Sequence, residues 1–128
     1  MSKKIINTSK APAPIGPYNQ AVQTGNLLFV SGQIPINPTT NELVQGTIEE
    51  EALQVMHNLK AILTEANVTF DNVVKTTIFL SDMSLFTEVN KIYGSFFSND
   101  FPARETVAVK GLPKGVNVEI SVIATTEL

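Results

Sequence analysis

The clearest pattern along the chain is an apolar stripe with the period of a helix. Apolar residues recur every three or four positions, which predicts an amphipathic helix over residues 48–66. Thr47 and Glu50 have the spacing of a capping box at its start. Asn67 is suited to end the helix, because asparagine tolerates the left-handed backbone conformation.

A second stripe of helical period predicts another helix, which begins after a cap at Ser81 or Asp82. Its apolar face comprises Leu85, Phe86, Val89, Ile92, Tyr93, Phe96 and Phe97.

Runs of β-branched and aromatic residues between turn residues predict five strands. They lie at residues 19–23, 27–30 and 72–80, with two more in residues 104–128 around a turn at 111–115. The order is strand, strand, helix, strand, helix, strand, strand. This order predicts an α+β fold, in which two helices lie on one face of a mostly antiparallel, mixed sheet.

The last two strands are predicted to form a hairpin, which brings two charged residues together. Alternation places Arg104 and Thr106 on one side of the first strand, and Val107 and Val109 on the other. The valines of both strands are predicted to face the helices, and the register that satisfies this places Thr106 opposite Glu119. Arg104 and Glu119 are then diagonal neighbours on the face away from the helices.

Two interpretations of Arg104 stay open at this point. It forms a surface or interface ion pair with Glu119 or Glu105, or its planar donors hold a carboxylate or phosphate. Glu119 either neutralises Arg104, or holds a water and passes a proton. Tyr18 follows a stiff segment with three prolines at residues 11–17, and is either a packed aromatic or the wall of a small pocket.

Apolar residues on both sides of two predicted strands indicate an oligomer. Residues 27–30 and 78–80 offer apolar groups to both faces, whereas the helices cover only one. An uncovered apolar face favours association. We therefore expect a homo-oligomer with the sheets facing inward, and a site between subunits.

Composition narrows the classes of function. With 128 residues, 43% of them hydrophobic, we expect one domain over residues 1–128. The net charge of −3 makes nucleic acid a poor candidate partner, because phosphate backbones repel an acidic protein. The absence of cysteine excludes a disulfide framework and a thiolate nucleophile. His57 lies on the polar side of the first helix, and a lone histidine predicts no metal site. No signal peptide or membrane span is predicted, and a cytoplasmic location is expected.

Five stretches that occur in order resemble the RidA/YjgF family of reactive-intermediate deaminases. They are Ala13-Pro14-Ile15-Gly16-Pro17-Tyr18, Val30-Ser31-Gly32-Gln33-Ile34-Pro35, Val74-Lys75-Thr76-Thr77-Ile78-Phe79-Leu80, Phe101-Pro102-Ala103-Arg104 and Val118-Glu119-Ile120.

The resemblance implies a subunit like that of chorismate mutase and a homotrimer, whose sheets form a central barrel with sites in the clefts between subunits. It implies hydrolysis of 2-imino acids and their enamine tautomers to 2-oxo acids and ammonia, with no metal or organic cofactor. The implied substrates are 2-iminobutanoate, 2-iminopropanoate and 2-aminoacrylate.

By resemblance, Arg104 binds the substrate carboxylate and Glu119 orients the attacking water. Because a guanidinium is expected beside it, the Glu119 carboxylate should stay ionised at neutral pH. Thr106 stands where the family often has cysteine, so a backbone contact with substrate survives there and a thiol-dependent one does not. The remaining pocket residues by resemblance are Tyr18, Ser31, Gly32 and Asn90.

Three other classes of function remain open from the sequence. The chain is a regulatory trimer that binds small carboxylates without turnover, an endoribonuclease or translation inhibitor, or a chaperone-like trimer. The acidic composition and the single histidine argue against the nuclease.

Overall fold

Two helices lie across one face of a six-stranded sheet in the computed structural model, which describes residues 2–127. The predicted α+β class, with a mostly antiparallel mixed sheet, is confirmed. The helices are α1 (Ile48–Glu65) and α2 (Phe86–Gly94). The strands are β1 (Lys4–Ile6), β2 (Ala21–Thr24), β3 (Leu27–Gln33), β4 (Ile36–Asn37), β5 (Glu42–Leu43), β6 (Val73–Leu80), β7 (Ala103–Ala108) and β8 (Val118–Thr125).

Helix α1 agrees closely with its sequence pattern. Thr47 accepts from the Glu50 backbone while the Glu50 side chain accepts from Thr47, so the predicted capping box is confirmed. The helix ends at Glu65, one residue earlier than predicted, and Asn67 has a φ of 62°. Its inner face includes Leu59, which is fully buried, so truncation of that side chain to alanine would cost about 2–5 kcal/mol.

Helix α2 begins later than its apolar stripe. Asp82 caps a 3₁₀ turn, Met83–Leu85, through a bond from the Ser84 backbone N–H, so Asp82 and not Ser81 is the cap. The helix proper is Phe86–Gly94. Its apolar face packs against the core between helices and sheet, as predicted.

Several strands differ in extent from the sequence expectation. Strand β1 was not predicted, and β2 starts at Ala21. Strand β3 continues to Gln33, with a register shift between Val30 and Gln33 that is typical of a β-bulge. Strands β4 and β5 form a small separate sheet.

The predicted hairpin of the last two strands is wrong. The sheet order is β1-β2-β3-β8-β6-β7, so β8 lies between β3 and β6, and β7 lies on the far side of β6. Strand β7 pairs with β6 in parallel, with Thr76 beside Arg104 and Phe79 beside Val107. The reason is α2, which crosses between β6 and β7. A strand, helix, strand unit returns the chain in the same direction.

The side of β7 that faces the helices was also predicted wrongly. Thr76 is buried beneath the helices, and Arg104 beside it contacts α2. Glu105 points the other way, where it pairs with Lys75 at 3.1 Å. Val107 is 42% exposed on that side. An edge strand needs only partial cover, so the valines need not face the core.

The sheet face without helices is called the open face below. Apolar side chains on it are substantially exposed in the single chain. They are Ile5, Leu27, Phe29 and Val107. The apolar second face predicted from the sequence is therefore present.

Candidate functional site

The predicted site residues form two clusters that lie on opposite faces of the sheet. The first, called the Arg104 cluster, surrounds a cavity of about 460 Å³ on the helix side. Its lining residues are Asn90, Tyr93, Gly94, Phe101, Pro102 and Arg104. The second, called the Glu119 cluster, surrounds a cavity of about 360 Å³. Its lining residues are Ile15, Tyr18, Ser31, Gly32, Ile34, Pro113 and Glu119.

Arg104 is held by an amide and two aromatic rings. Its Nη1 donates to Asn90 Oδ1 at 2.7 Å. The guanidinium carbon lies 5.2 Å from the centre of the Tyr93 ring and 5.6 Å from that of Phe86. Both distances fall within the range of cation–π attraction. These three side chains recur at helical spacing on α2, so one face of the helix fixes the guanidinium.

Arg104 has no carboxylate partner among residues 2–127. Glu105 is engaged on the open face, where it accepts from the Thr77 hydroxyl and pairs with Lys75. Glu119 lies on another strand and faces away from α2. The ion-pair interpretation of Arg104 is therefore wrong within this chain. Its remaining donors are available to a planar anion.

Tyr93 gives the Arg104 cluster a rigid floor. The ring is 4% exposed, and its hydroxyl is hydrogen-bonded to the Thr76 hydroxyl at 3.0 Å. Burial raises the pKa of Tyr93, so the phenol stays neutral around pH 7. The sequence pattern predicted Tyr93 only as part of the apolar face of its helix. Its position one turn after Asn90 is the signal that it also faces the arginine.

Thr106 lies with Arg104 on the helix side and not opposite Glu119. The hydroxyl oxygen is buried and has no hydrogen-bond partner within residues 2–127. An unpaired buried hydroxyl costs about 1–3 kcal/mol. The walls around it are largely apolar and include Ile78, Leu80, Phe86 and Val89.

Glu119 lies on β8 beside Phe79 and against the backbone of Gly32. A Cβ atom added at Gly32 would collide with the Glu119 carboxylate. The bulge in β3 brings the backbone this close, and only glycine leaves room for the carboxylate there.

The Glu119 carboxylate is half-buried and makes no hydrogen bond or ion pair within the described part of the chain. Burial raises the pKa of Glu119. The expectation that a neighbouring Arg104 keeps this carboxylate ionised is wrong within one chain, because the guanidinium lies on the other face. A desolvated carboxylate without donors is a stronger base than an ordinary glutamate.

Ser31 and Tyr18 reach the Glu119 cavity from different segments. The Ser31 hydroxyl donates to the Asn19 carbonyl at 2.7 Å, so it supports the backbone. Tyr18 is 47% exposed, and its hydroxyl lies 3.4 Å from the Ile15 backbone nitrogen. Tyr18 is thus the wall of a pocket and not a packed core aromatic.

The two clusters do not meet within one chain. Arg104 and Glu119 lie on opposite faces, and their strands β7 and β8 are separated by β6. Two strand spacings are about 10 Å, and the sheet itself lies between the side chains. A ligand the size of a three- or four-carbon acid cannot contact both groups of one protomer.

Within residues 2–127, no three His, Cys, Asp or Glu side chains are grouped so that they could hold a metal ion. None of the helices in that part of the chain is long and apolar enough to cross a bilayer.

The fold and the two clusters define a class of small α+β proteins with an arginine on a parallel edge strand and a carboxylate on a central strand. The family model described as Endoribonuclease L-PSP matches residues 8–126. The chain therefore belongs to this family, which is the RidA/YjgF or Rid family.

Relatives in the family carry several kinds of name. A mouse protein named 2-iminobutanoate/2-iminopropanoate deaminase is 48% identical over 122 residues, which is 95% of this chain and 90% of that protein. A Lactococcus lactis protein that is 53% identical over 121 residues, 94% of this chain and 96% of that one, is named only as a candidate regulator, AldR. The crystal structure of YyfA from Yersinia pestis, a Rid protein of unknown function, has a TM-score of 0.95 at 49% identity, with 97% of this chain and 99% of that chain covered.

Proposed function

We propose that this chain is a hydrolytic deaminase that converts 2-imino acids, such as 2-iminobutanoate and 2-iminopropanoate, to 2-oxo acids and ammonia. The observation that carries the proposal is a fixed guanidinium without a carboxylate partner in the described chain, at the edge of an open cavity. Arginine binds a carboxylate through two parallel hydrogen bonds. The mouse relative's name supplies the reaction class.

The Arg104 cluster of one copy is proposed to meet the Glu119 cluster of a neighbouring copy. Each cluster offers one half of what the reaction needs, and the two halves face different sides of the sheet. The exposed apolar residues of the open face provide a reason to associate, because their burial between copies is favourable. A homotrimer with inward-facing sheets and three such sites is the arrangement we propose.

The proposed reaction begins when the substrate carboxylate binds the Arg104 guanidinium. This contact holds the C=N carbon beside a water in the Glu119 cavity. Glu119 takes a proton from that water while the water oxygen bonds to the carbon and the C=N electron pair moves to nitrogen. Glu119 returns this proton to the nitrogen, which gives a 2-amino-2-hydroxy acid. Glu119 then takes the hydroxyl proton and passes it to the amino group, so the C–N bond breaks as the C=O bond forms, and the nitrogen leaves as ammonia.

The environment of Glu119 fits the role of a base. A raised pKa increases the proton affinity of the carboxylate while leaving it able to ionise. Proximity supplies much of the remaining acceleration, because bound reactants avoid the entropy cost of meeting.

The test of this function is turnover of 2-iminobutanoate and 2-iminopropanoate generated in the assay by an amino-acid-deaminating enzyme. The wild-type chain is expected to accelerate formation of the 2-oxo acid, and Arg104→Ala to lose that activity. Equal rates of 2-oxo acid formation with the wild-type protein, with Arg104→Ala and without added protein would contradict the proposal.

A second candidate is a sensor that binds small carboxylates without turning them over. The Lactococcus lactis relative's name is the observation in its favour. Calorimetry with 2-oxobutanoate separates the two functions. Binding that depends on Arg104, in a preparation without turnover, would favour the sensor.

RNA cleavage has less support from the site, although the family model bears an endoribonuclease name. The single histidine of the chain, His57, is exposed on α1 beside Phe96 and lines neither cavity.

A cytoplasmic location is also part of the proposal, and fractionation of cells that express the chain would test it.

A further inference from the structure

The side chain of Gln20 connects the segment before Tyr18 to the sheet. Gln20 is 1% exposed. Its Oε1 accepts from the Thr8 backbone N–H at 2.6 Å. Its Nε2 lies within donor distance of three carbonyl oxygens, at 2.8 Å from Pro12, 3.0 Å from Thr8 and 3.2 Å from Ala11. One buried amide thus binds the backbone at both ends of residues 8–12.

The backbone of the same residue supports the floor of the Glu119 cavity. The Gln20 carbonyl accepts from the Ser31 N–H at 2.9 Å, and the Ser31 hydroxyl donates to the neighbouring Asn19 carbonyl. Ser31 precedes Gly32, against which the Glu119 carboxylate lies. Gln20 therefore lies between two walls of one cavity.

Residues 11–18, called the strap below, have few other hydrogen bonds, and Ala11 at their start is buried in the core. Among the described residues, the hydrogen bonds that connect the strap to the rest of the chain all end on the Gln20 amide. The bonds of Tyr18 stay inside the strap, with Ile15 and Gly16. Ile15 at the tip is 63% exposed, so packing holds it weakly.

We propose that Gln20 is a positioning residue for the Glu119 cluster, which fixes the strap so that Tyr18 and Ile15 wall the cavity. Gln20 does not itself line the cavity that contains Glu119. It acts through the strap. The kinetic part of this inference rests on the proposed function, whereas the structural part does not.

The amide group is needed because its neighbours are of two kinds. The carbonyl oxygens of Thr8, Ala11 and Pro12 require a donor, and the Thr8 N–H requires an acceptor. A carboxylate can supply only the acceptor, and would face three carbonyl oxygens in a buried place. A thioether of similar length supplies almost nothing. Gln20→Glu and Gln20→Met should therefore both release the strap.

The experiment uses the two tyrosines of the chain, which has no tryptophan. Incorporation of 3-fluorotyrosine gives one ¹⁹F resonance from exposed Tyr18 and one from buried Tyr93. Tyr18→Phe assigns the two signals. Asn72→Asp is the matched control, because the Asn72 amide is also buried, and bonds the Thr69 N–H and the Thr125 carbonyl, but lines neither cavity.

In Gln20→Glu and Gln20→Met, the Tyr18 resonance should move toward the free-tyrosine position and sharpen, while the Tyr93 resonance stays. In Asn72→Asp, neither should change. For the folded fraction, kcat/KM on 2-iminobutanoate should fall roughly 10- to 100-fold in the Gln20 variants only, because small misplacements of site groups are costly. If Gln20→Glu does not fold, Gln20→Met carries the measurement.

An unchanged Tyr18 resonance in a folded Gln20 variant would overturn the inference, whatever the activity. A fall in kcat/KM of equal size in Asn72→Asp would also overturn it, because the effect would then be general destabilisation. If the wild type shows no turnover at all, the proposed function fails, while the ¹⁹F spectra still decide whether Gln20 fixes the strap.

Discussion

The Arg104 and Glu119 clusters place opposite charges in contrasting surroundings. Arg104 lies on an edge strand, where an amide and two rings of α2 fix its guanidinium. Glu119 lies on a central strand, against a glycine backbone, with no donor in the described chain. Within residues 2–127, the arginine is held in place without an anion, and the half-buried carboxylate has neither a cation nor a proton donor.

Neither cluster alone has all the groups that the proposed hydrolysis needs. A guanidinium alone binds an acid, and a desolvated carboxylate alone holds a proton. Because the sheet separates them within one chain, the proposed catalysis uses the clusters of two copies. The predictions below remove one property at a time from one cluster.

Loss of the base should have the largest effect. Glu119→Gln keeps the size of the side chain but cannot take a proton, so kcat should fall about 100- to 10,000-fold, the usual contribution of a general base. Steady-state turnover of 2-iminopropanoate measures this. The exposed Glu42→Gln is the control. Wild-type kcat in Glu119→Gln would show that another group activates the water.

Glu119→Gln should lower activity but raise the stability of the fold at neutral and alkaline pH. The folded-state pKa of Glu119 is raised, so its ionised form destabilises the fold once pH rises through that pKa. At a pH above the raised pKa of Glu119, Glu119→Gln should be more stable than wild type. Well below that pKa, the difference in unfolding free energy between the two proteins should vanish. Denaturant unfolding at pH 4 and pH 8 measures this. Activity should rise with pH through the same range.

Removal of the Arg104 guanidinium should have the second-largest effect on activity. Arg104→Ala loses two charged hydrogen bonds of about 1.5–2 kcal/mol each, and their sum of about 3–4 kcal/mol should lower kcat/KM about 100- to 1,000-fold. Lys91→Ala removes an exposed cation from the same helix and should leave kcat/KM unchanged. Retained activity in Arg104→Ala would remove this residue from the site.

A smaller change tests the shape of the Glu119 cluster. In Gly32→Ala the new methyl group displaces the carboxylate, a flexible group, so kcat should fall about tenfold, while stability changes by less than about 1 kcal/mol. Gly111→Ala is the control, because Gly111 lines neither cavity and its Cβ would meet no atom within 4 Å. Equal kinetics for the two variants would contradict the close packing of Gly32 and Glu119.

The smallest effect is expected at Thr106. Replacement by valine keeps the shape and removes an unpaired buried hydroxyl, so Thr106→Val should gain about 1 kcal/mol of stability. Thermal unfolding measures this gain. A substrate contact through the Thr106 hydroxyl would instead appear as a rise in KM.

Local patterns in the sequence predicted the helices well, since capping and apolar period depend on neighbouring residues. The capping box at Thr47 and the left-handed Asn67 are examples. The pairing of β7 was missed, because alternation gives the two sides of a strand but not its neighbours. The helix between β6 and β7 was the available signal for a parallel pair.

For the site, too, local motifs were informative and long-range arrangement was not. The motifs predicted that Arg104, Glu119 and Gly32 belong to the site, and the structure places Asn90 against Arg104 and Gly32 against Glu119. Which residues share a cavity depended on strand order, which no local pattern encodes. Gln20 was missed because its partners are backbone atoms of a segment without regular structure.

The measurement that tests the shared site most directly is a mixing experiment. Arg104→Ala and Glu119→Gln, each nearly inactive alone, are unfolded together in equal amounts, refolded and assayed. If adjacent copies in a trimer each supply one cluster, about a quarter of the sites regain both residues, and activity should return to about a quarter of wild type. Activity that stays at the level of the separate variants, in trimers shown to be mixed, would contradict the account.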